Sequence, residues 1–244
     1  MNKVTTLDKV MDKVHDGAVI GLGGFLGIGV PLGVVDKLLE KGVKDLTLIG
    51  IVNAHPFAGG NFGVAKLFKN KQIKKFICSH AGTCPEAVEQ YRADELEIEY
   101  YPMGTWIEKL RAAGSGLGGV LTPTGVGTLM EEGKQKLTLN GKEYILELPL
   151  SAEIAFIKGY RADKMGNIQY RRASLNSNPV LAMAADYVVA EVDEIVEAGE
   201  IEPELVGTPS IFVDAVVRCM SFDEHQKAVT DLWTNCGQLK AVNQ

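Results

Sequence analysis

The chain has 244 residues and a formal net charge of −6, which is enough sequence for one large domain with an appendage. Hydrophobic residues make up 46% and charged residues 23%, as in ordinary globular proteins, and the negative charge argues against a nucleic-acid-binding protein. The N-terminus has no apolar core of signal-peptide length, and no stretch is long and apolar enough to span a bilayer. We therefore expect a cytoplasmic protein.

Helical and strand patterns alternate through the first half of the chain. The predicted elements are a helix at 6–14, a strand at 18–22, a helix opened by Pro31 and closed by Gly42, strands at 45–52, 73–78 and 96–101, and a helix at 102–113. Strands that alternate with helices in this way indicate a mostly parallel sheet covered on both faces. The strand at 96–101 carries acidic residues and is expected near an edge.

The second half departs from this alternation. Asn140-Gly141 between two short strand patterns, at 136–146, predicts a β-hairpin with a type I′ turn. The remaining predicted elements are a short buried strand at 154–157, a turn at 163–167 into a strand at 168–170, a helix at 179–185 and a strand at 187–192. We interpret the acidic run 191–204 as a solvated loop face, and residues 218–244 as a tail docked on a domain of residues 1–217.

The four cysteines are Cys78, Cys84, Cys219 and Cys236. No pair has the spacing of a zinc knuckle or redox motif, and Cys78 ends an apolar run, which favours a small core residue. His80 lies close to Cys78 in sequence, but no second pair of ligands accompanies them. We predict no metal site.

The chain is organised around a strand, a glycine-rich loop and a helix start, at 18–22, 23–29 and Pro31. Glycines let backbone approach a ligand closely, and the free N–H groups and dipole of a helix start favour an anion. The loop is neither a Walker A loop, since no Lys-Ser/Thr pair follows it, nor the dinucleotide fingerprint, since Leu26 stands where the last glycine belongs. Residues 114–119 do fit that fingerprint, but they follow a helix and precede a strand. A tight turn in an α/β core remains the alternative for the glycine loop.

The order of residues in this stretch is more specific than its glycine content. Its fixed positions are Asp16, Gly17, Gly23, Gly24, Phe25, Gly29 and Pro31. This order resembles the signature of the class I coenzyme A transferases, on the chain of the enzyme called alpha or A. Further segments with the same likeness are 79–83, 121–128, 142–149, 166–167, 178–179 and 199–200. The resemblance covers about residues 5–217 and implies a three-layer α/β/α fold, shared with ribose-5-phosphate isomerase.

The resemblance also implies where ligands bind. The residues expected to contact coenzyme A are Gly23, Gly24, Phe25, Leu26, Gly27, Ile28 and Gly29, and those expected to form the substrate pocket are Met103, Gly104, Thr105, Thr122, Thr124 and Gly125. The chain departs from the family at Met103, where relatives carry a glutamine thought to lie beside the reacting carbonyl, and at 174–179 and 51–62. Methionine donates no hydrogen bond, so these departures concern the choice of acyl group.

The family reaction uses a glutamate nucleophile, which forms a mixed anhydride and then a glutamyl-CoA thioester. That glutamate sits in a Ser-Glu-Asn-Gly stretch on the beta subunit, and no such stretch occurs here. Glu131 and Glu132 follow the threonine-rich loop, but they fit better as exposed acids at a helix start. We therefore expect no catalytic nucleophile in this chain, no permanently bound cofactor, an acyl-CoA substrate, and a beta subunit in an α2β2 or larger assembly.

The relatives that the resemblance favours act on acetate, acetoacetate and butyrate. A related transferase of the glutaconate or 3-oxoadipate type, and a stand-alone CoA-binding module, remain alternatives at this point.

Overall fold

The computed structural model describes residues 2–52, 54, 55, 59–237 and 239. Its α-helices are α1 (Leu7–Met11), α2 (Leu32–Lys41), α3 (Ala65–Lys69), α4 (Pro85–Arg92), α5 (Met103–Gly114), α6 (Asn178–Met183) and α7 (Phe222–Asn235). Its β-strands are β1 (Val19–Leu22), β2 (Leu46–Ile49), β3 (Ile73–Cys78), β4 (Glu97–Tyr100), β5 (Val120–Thr122), β6 (Lys136–Leu139), β7 (Lys142–Glu147), β8 (Ala152–Asp163), β9 (Ile168–Gln169), β10 (Ala185–Val196), β11 (Val206–Thr208) and β12 (Ala215–Arg218).

The strands of the main sheet run parallel in the order β12-β10-β8-β1-β2-β3-β4. The chain winds from β1 outward to β4, and later from β8 outward in the opposite direction to β12. The order therefore reverses between β1 and β8, and in open α/β sheets ligands bind outside the carboxyl ends of strands at such a switch point. The short strands β9 and β11 add an antiparallel extension to the outer half of β8.

Two apolar clusters lie on opposite faces of the sheet and make the three layers. One includes Leu38 and Leu67 from α2 and α3, and the other includes Trp106 and Leu181 from α5 and α6. Each of these four side chains is fully buried, and burial of a large apolar side chain contributes roughly 1.5–3 kcal/mol. The predicted α/β/α fold with a mostly parallel sheet is confirmed.

Local sequence signals account for several element ends. Pro31 caps α2, and Gly42 ends it with φ +70° in the left-handed region, as expected for helix C-termini. Asn140 and Gly141 have φ values of +51° and +76°, as a type I′ turn requires, and β5, β6 and β7 form a separate antiparallel sheet. The strand β4 lies at the edge of the main sheet, as predicted.

Two predictions for the second half are wrong. The strand expected at 154–157 is β8, with 12 residues, and the strand expected at 187–192 is β10, also with 12 residues. The start of the supposedly solvated acidic run therefore lies inside β10, where Glu191 is 0% and Asp193 6% exposed. The reason is a buried cation on the neighbouring strand, Lys158, whose side chain is 2% exposed and pairs with both carboxylates.

The C-terminal tail contains the 14-residue helix α7, which opens with a capping box between Ser221 and Glu224. Ala228 and Leu232 of this helix pack on the apolar cluster that includes α2. Within the described residues, no helix has the length and apolar character needed to cross a membrane.

Candidate active site

The glycine loop follows β1 and ends in a tight turn. Phe25 and Ile28 exchange two backbone hydrogen bonds of 2.9 Å, and the two residues between them, Leu26 and Gly27, have φ values of +50° and +83°. This is the pattern of a two-residue hairpin turn in which both central residues have positive φ. The N–H of Leu26 also donates to the carbonyl of Val52 at 2.6 Å, which ties the turn to the segment after β2.

The other side of the loop is held by residues 174–178, one of the segments where the chain departs from the family pattern. Asn176 Nδ2 donates to the carbonyl of Ile28 at 3.0 Å, and Asn178 Nδ2 donates to that of Gly29 at 3.1 Å. The N–H of Gly24 donates to Ser177 Oγ at 3.3 Å. These side chains satisfy loop groups that would otherwise be buried without partners, and they fix the shape of the loop.

Asn178 links the glycine loop to β8 as well. Its Oδ1 accepts the N–H of Lys158 at 2.9 Å, and its Nδ2 also donates to the carbonyl of Ser174 at 3.0 Å. The side chain is fully buried. The sequence drew attention to this segment only as a departure, and an asparagine at the first position of a short helix gave no signal of this role.

The N-terminus of α2 is not open to a ligand at Val34. The N–H of that residue donates to Glu191 Oε2 at 2.9 Å. The anion bound by this first helical turn is therefore the chain's own carboxylate, whereas the sequence suggested a ligand. Gly33 allows the approach, because a Cβ there would lie 2.2 Å from the Cβ of Cys219.

Glu191, Asp193 and Lys158 form a buried charged cluster beside the loop. Lys158 Nζ lies 2.7 Å from Asp193 Oδ1 and 3.5 Å from Glu191 Oε1. Burial raises the pKa of the Glu191 and Asp193 carboxyls, although the Lys158 ammonium opposes that rise. One ammonium thus serves two carboxylates in a place without water access, and the cluster fixes β8, β10 and the start of α2 relative to one another.

Two N–H groups of the loop keep their donor capacity. Among the described residues, neither Gly27 nor Gly29 donates its N–H to an acceptor, and both residues are buried. Buried N–H groups are normally paired, so these two are candidates for bonding a ligand oxygen. Of the seven loop residues expected to contact coenzyme A, these two offer unused backbone donors.

A cavity of about 530 Å³ lies at the N-terminus of α5. It brings together four of the six residues expected in the substrate pocket: Gly104, Thr105, Thr122 and Thr124. Pro102 caps α5 without a side-chain hydrogen bond, so the first-turn N–H groups of the helix have no intrahelical acceptor. Thr105 is 5% exposed, and its Oγ1 has no hydrogen-bond partner in the described part of the chain.

Met103 and Gly125 are outside the lining of this cavity. Met103 is 43% exposed, on the outside of the first turn of α5. Gly125 packs instead against Met130 and Ile145, since a Cβ on it would lie 2.9 Å and 3.4 Å from their side chains. The cavity lining also contains no residue of the glycine loop, so the two predicted regions line separate spaces in this chain. Asn53 and Pro56, the other departures, lie outside the described residues.

The acids after the threonine-rich loop have structural partners. Glu131 Oε2 accepts the N–H of Gly127 at 2.7 Å and lies 3.3 Å from Lys136 Nζ. The bond from Gly127 and the nearby ammonium hold the pKa of Glu131 below its usual value. Glu132 follows it at the end of a short 3-10 turn and is exposed. Both fit the expected role of exposed acids.

The sequence did not predict that α7 reaches the carboxyl edge of the sheet. Trp233 packs edge-on against His55, after β2, with ring centroids 4.2 Å apart. His225 Nδ1 lies 3.9 Å from Asp193 Oδ1, and Phe222 stacks near Tyr160, with ring centroids 5.8 Å apart. The capping signature Ser221-x-x-Glu224 could have located the helix, but no local pattern indicates where a terminal helix docks.

These features define an α/β protein whose glycine loop occupies the switch point of a doubly wound sheet. Residues 4–218 match the model of the coenzyme A transferase family. The chain is 45% identical over 215 residues to the alpha chain of the acetate CoA-transferase of Escherichia coli K12, an alignment that covers 88% of this chain and 96% of that protein. It is 44% identical over 218 residues to the A-type polypeptide of the 3-oxoadipate CoA-transferase of Acinetobacter baylyi, with 88% and 94% covered.

Among solved structures, an acyl-CoA transferase apoenzyme from Escherichia coli O157:H7 has the same fold, with a TM-score of 0.81 at 21% identity. The match covers 89% of this chain and 47% of that one, so the present chain spans about half the length of that protein. The chain belongs to the coenzyme A transferase family. Within the family it is of the alpha type, as the extent of its match to both of these relatives indicates.

Proposed function

We propose that this chain joins a beta subunit to transfer coenzyme A from a short-chain acyl-CoA to a carboxylate acceptor of the acetate, acetoacetate or butyrate type. The observation that carries the proposal is the glycine loop at the switch point. The surrounding side chains hold it in one shape, and two buried N–H groups, those of Gly27 and Gly29, remain unpaired among the described residues. Such preorganised donors stabilise a developing oxyanion at a thioester carbonyl.

The carboxylates beside the loop support placing the nucleophile on the partner. Glu191 and Asp193 are nearest in the buried cluster, and both are committed to Lys158, while Glu191 also holds the N–H of Val34. A nucleophile must reach the thioester carbonyl with a free carboxylate oxygen. A fully buried carboxylate in these bonds does not meet that requirement, and Glu131 is engaged with Gly127 and Lys136.

The proposed reaction balances in three steps. A glutamate carboxylate on the partner attacks the thioester carbonyl and expels the CoA thiolate, which leaves an acyl-glutamyl anhydride. The thiolate then attacks the glutamyl carbonyl, which releases the acyl carboxylate and forms a glutamyl-CoA thioester. The acceptor carboxylate reverses both steps. No permanently bound cofactor takes part, and coenzyme A is a substrate.

In this scheme the chain contributes binding and orientation. The N–H groups of Gly27 and Gly29 contact the thioester oxygen, and the cavity at α5 holds the acyl group or part of the CoA arm. Thr105 supplies its unpaired hydroxyl there, and the hydroxyls of Thr122 and Thr124 line the opposite wall. Fixing the two reactants side by side replaces a bimolecular encounter by an intramolecular one, which is a large part of such rate enhancements.

A second candidate is a 3-oxoadipate transferase, because the Acinetobacter relative is 44% identical to this chain, against 45% for the acetate enzyme. The two differ in substrate charge, since 3-oxoadipate carries a second carboxylate. A screen of acceptors at equal concentration separates them. A preference for monocarboxylates of at least tenfold in kcat/KM supports the first candidate, and the reverse preference supports the second.

The division of roles between the two proteins is tested by comparing the purified chain with and without its co-expressed partner, given acyl-CoA and an acceptor. Transfer should require both proteins, and borohydride should reduce a glutamyl thioester only on the partner, as intact-mass analysis would show. Gly24→Val should abolish transfer in the complex, because a Cβ at this φ of +118° would lie 2.3 Å from Val30 Cγ2. Robust transfer by the single chain, or an adduct on one of its own glutamates, contradicts the proposal. The mass of the complex tests the expected α2β2 or larger assembly.

A further inference from the structure

A second cavity lies beside the glycine loop and is separate from the threonine-lined one. Its volume is about 300 Å³, and its walls come from the loop tip, from the carboxyl half of β8, from the turn at 171–174 and from α7. It therefore sits at the switch point of the sheet, where α/β folds place ligands, and its size is at the lower end of small-molecule sites. The helix that closes it lies outside the matched residues 4–218.

The mouth of this cavity carries two arginines without anionic partners. Neither Arg171 nor Arg172 forms an ion pair with a described carboxylate, and both are exposed. The guanidinium of Arg171 lies 4.2 Å from the ring centroid of Phe222 and 5.1 Å from that of Tyr160. Aromatic contacts of this kind hold the planar group in place and leave its N–H edge free for a two-pronged bond to a carboxylate.

The floor of the cavity is polar but already neutralised. Lys158 lines it with its charge matched by Asp193 and Glu191, so the unmatched positive charge is at the mouth. His225 lines it from α7, and its Nε2 is buried without a hydrogen-bond partner in the described part of the chain. Burial lowers the pKa of this histidine to about 4, so its ring is neutral near pH 7 and adds no charge that would repel or attract an anion.

The remaining walls are apolar. Ile28 of the loop tip, Ala173 of the turn, and Phe222 and Val229 of α7 face the space. A bare inorganic anion would leave this surface without contacts, and a purely apolar ligand would leave the two guanidiniums unused. A cation is disfavoured by the two arginines at the entrance. The lining matches a molecule with one anionic end and one apolar end.

We propose that this cavity is a second carboxylate site, which binds a short-chain monocarboxylic acid with its carboxylate on Arg171 and its alkyl chain between Ile28 and α7. The site does not depend on the proposed transferase activity and needs no residue of the threonine-lined cavity. Because the loop tip forms one wall, a bound acid contacts the same loop whose N–H groups face the thioester in the proposed reaction.

The test is binding of acetate, butyrate and hexanoate to the full chain at constant ionic strength, measured by titration calorimetry and by ligand-observed NMR. We expect hexanoate to bind with a Kd on the order of 1 mM and each added methylene to tighten binding about threefold. Arg171→Gln should weaken hexanoate about tenfold. Val229→Trp should abolish binding by filling the space, and Arg92→Gln, which removes an exposed arginine at the end of α4, should change nothing.

Several outcomes would overturn the site. Hexanoate binding that is absent at 20 times the expected Kd on the order of 1 mM, or that is insensitive to both Arg171→Gln and Val229→Trp, excludes it. Loss of binding in Thr105→Val but not in Arg171→Gln places the acid in the threonine-lined cavity and leaves the transferase proposal standing. Inorganic phosphate that binds as tightly as hexanoate with the same variant pattern shows a bare anion site and contradicts the carboxylic-acid class. Since Arg171 is exposed, its variant should fold normally, and this keeps the test decisive if Val229→Trp is unstable.

Discussion

Gly23 and Asn178 compete for one small volume beside β8. A Cβ on Gly23 would lie 1.7 Å from Asn178 Oδ1 and 2.6 Å from its Cγ, far inside van der Waals contact. Asn178 has no freedom to withdraw, because its amide is bonded to Lys158 N, to the carbonyl of Gly29 and to that of Ser174. The glycine at position 23 therefore exists for a neighbouring side chain, and the amide it admits holds the far end of the loop.

Gly23→Ala should destabilise the chain and distort the loop. Overpacking of this kind costs roughly 1–3 kcal/mol, and displacement of the Asn178 amide would add about 1–3 kcal/mol for each buried group left unpaired. We expect a loss of at least about 3 kcal/mol in the free energy of unfolding, measured by urea denaturation. Gly118→Ala is the matched control, because a Cβ there would meet nothing within 4 Å. Equal stability of the two variants would show that residues 174–178 move aside readily.

Sequence reasoning reached the fold because the signals for it are local. The strand pattern before Gly23, the proline and glycine that bound α2, and the turn residues Asn140-Gly141 act within a few positions. The parallel sheet then follows from the alternation of elements. These predictions depend on no contact between distant parts of the chain.

The interior of the site could not be reached in this way. The bond from Val34 N to Glu191 joins residues 157 positions apart, and the acidic residues of β10 looked solvated because their partner, Lys158, lies on another strand. Periodicity shows which face of an element is apolar, but it does not show that a buried cation will neutralise a carboxylate there. The docking of α7 against His55 and Asp193 is a long-range contact of the same kind.

Lys158→Met should be strongly destabilising near neutral pH. The change leaves Glu191 and Asp193 buried without their cation, which typically costs about 3–5 kcal/mol. The pKa of both carboxyls is already raised by burial, and loss of the ammonium should raise it further. A carboxyl whose folded pKa lies above its unfolded value contributes stability below the unfolded pKa and loses it as the pH rises through the folded pKa.

The measurement for Lys158→Met is therefore the urea midpoint at pH 5 and pH 8, and the deficit against wild type should be smaller at pH 5. Adding Glu191→Gln and Asp193→Asn to the same chain should restore much of the stability at pH 8. Lys164→Met, which removes a lysine from an exposed pair with Glu197, is the control and should change the free energy of unfolding by less than about 1 kcal/mol. A deficit that does not vary with pH would show that the cluster is not buried as described.

His225 should contribute to acid destabilisation. Burial, and secondarily the Lys158 ammonium, lower the pKa of its ring from 6.5 to about 4. A group whose folded pKa is lowered favours the neutral folded form, so its contribution is complete above pH 6.5 and is lost as the pH falls towards 4. The shift corresponds to about 3 kcal/mol at most.

The test for His225 is the free energy of unfolding between pH 7.5 and pH 4.5 in wild type and in His225→Gln. The wild type should lose up to about 3 kcal/mol more than the variant over that range. His15→Gln removes an exposed histidine that lies 3.2 Å from Glu153 and leaves the buried ring in place, so it should retain the wild-type acid response. Parallel curves for wild type and His225→Gln would mean that α7 detaches before the histidine titrates.

Thr105→Val separates a structural role of the threonine-lined cavity from a functional one. The hydroxyl of Thr105 is buried and has no partner in the described part of the chain, so its replacement by a methyl group of similar shape should leave the free energy of unfolding unchanged or raise it slightly. If the hydroxyl bonds to the acyl-CoA in the complex with the beta subunit, kcat/KM should fall by roughly tenfold, about the worth of one hydrogen bond at this site. Thr128→Val is the control, because its hydroxyl bonds to the carbonyl of Gly125 at 2.7 Å in an exposed turn. Steady-state kinetics with acetyl-CoA and butyrate would decide the matter: a stable Thr105→Val complex with wild-type kcat/KM would place the substrate outside this cavity.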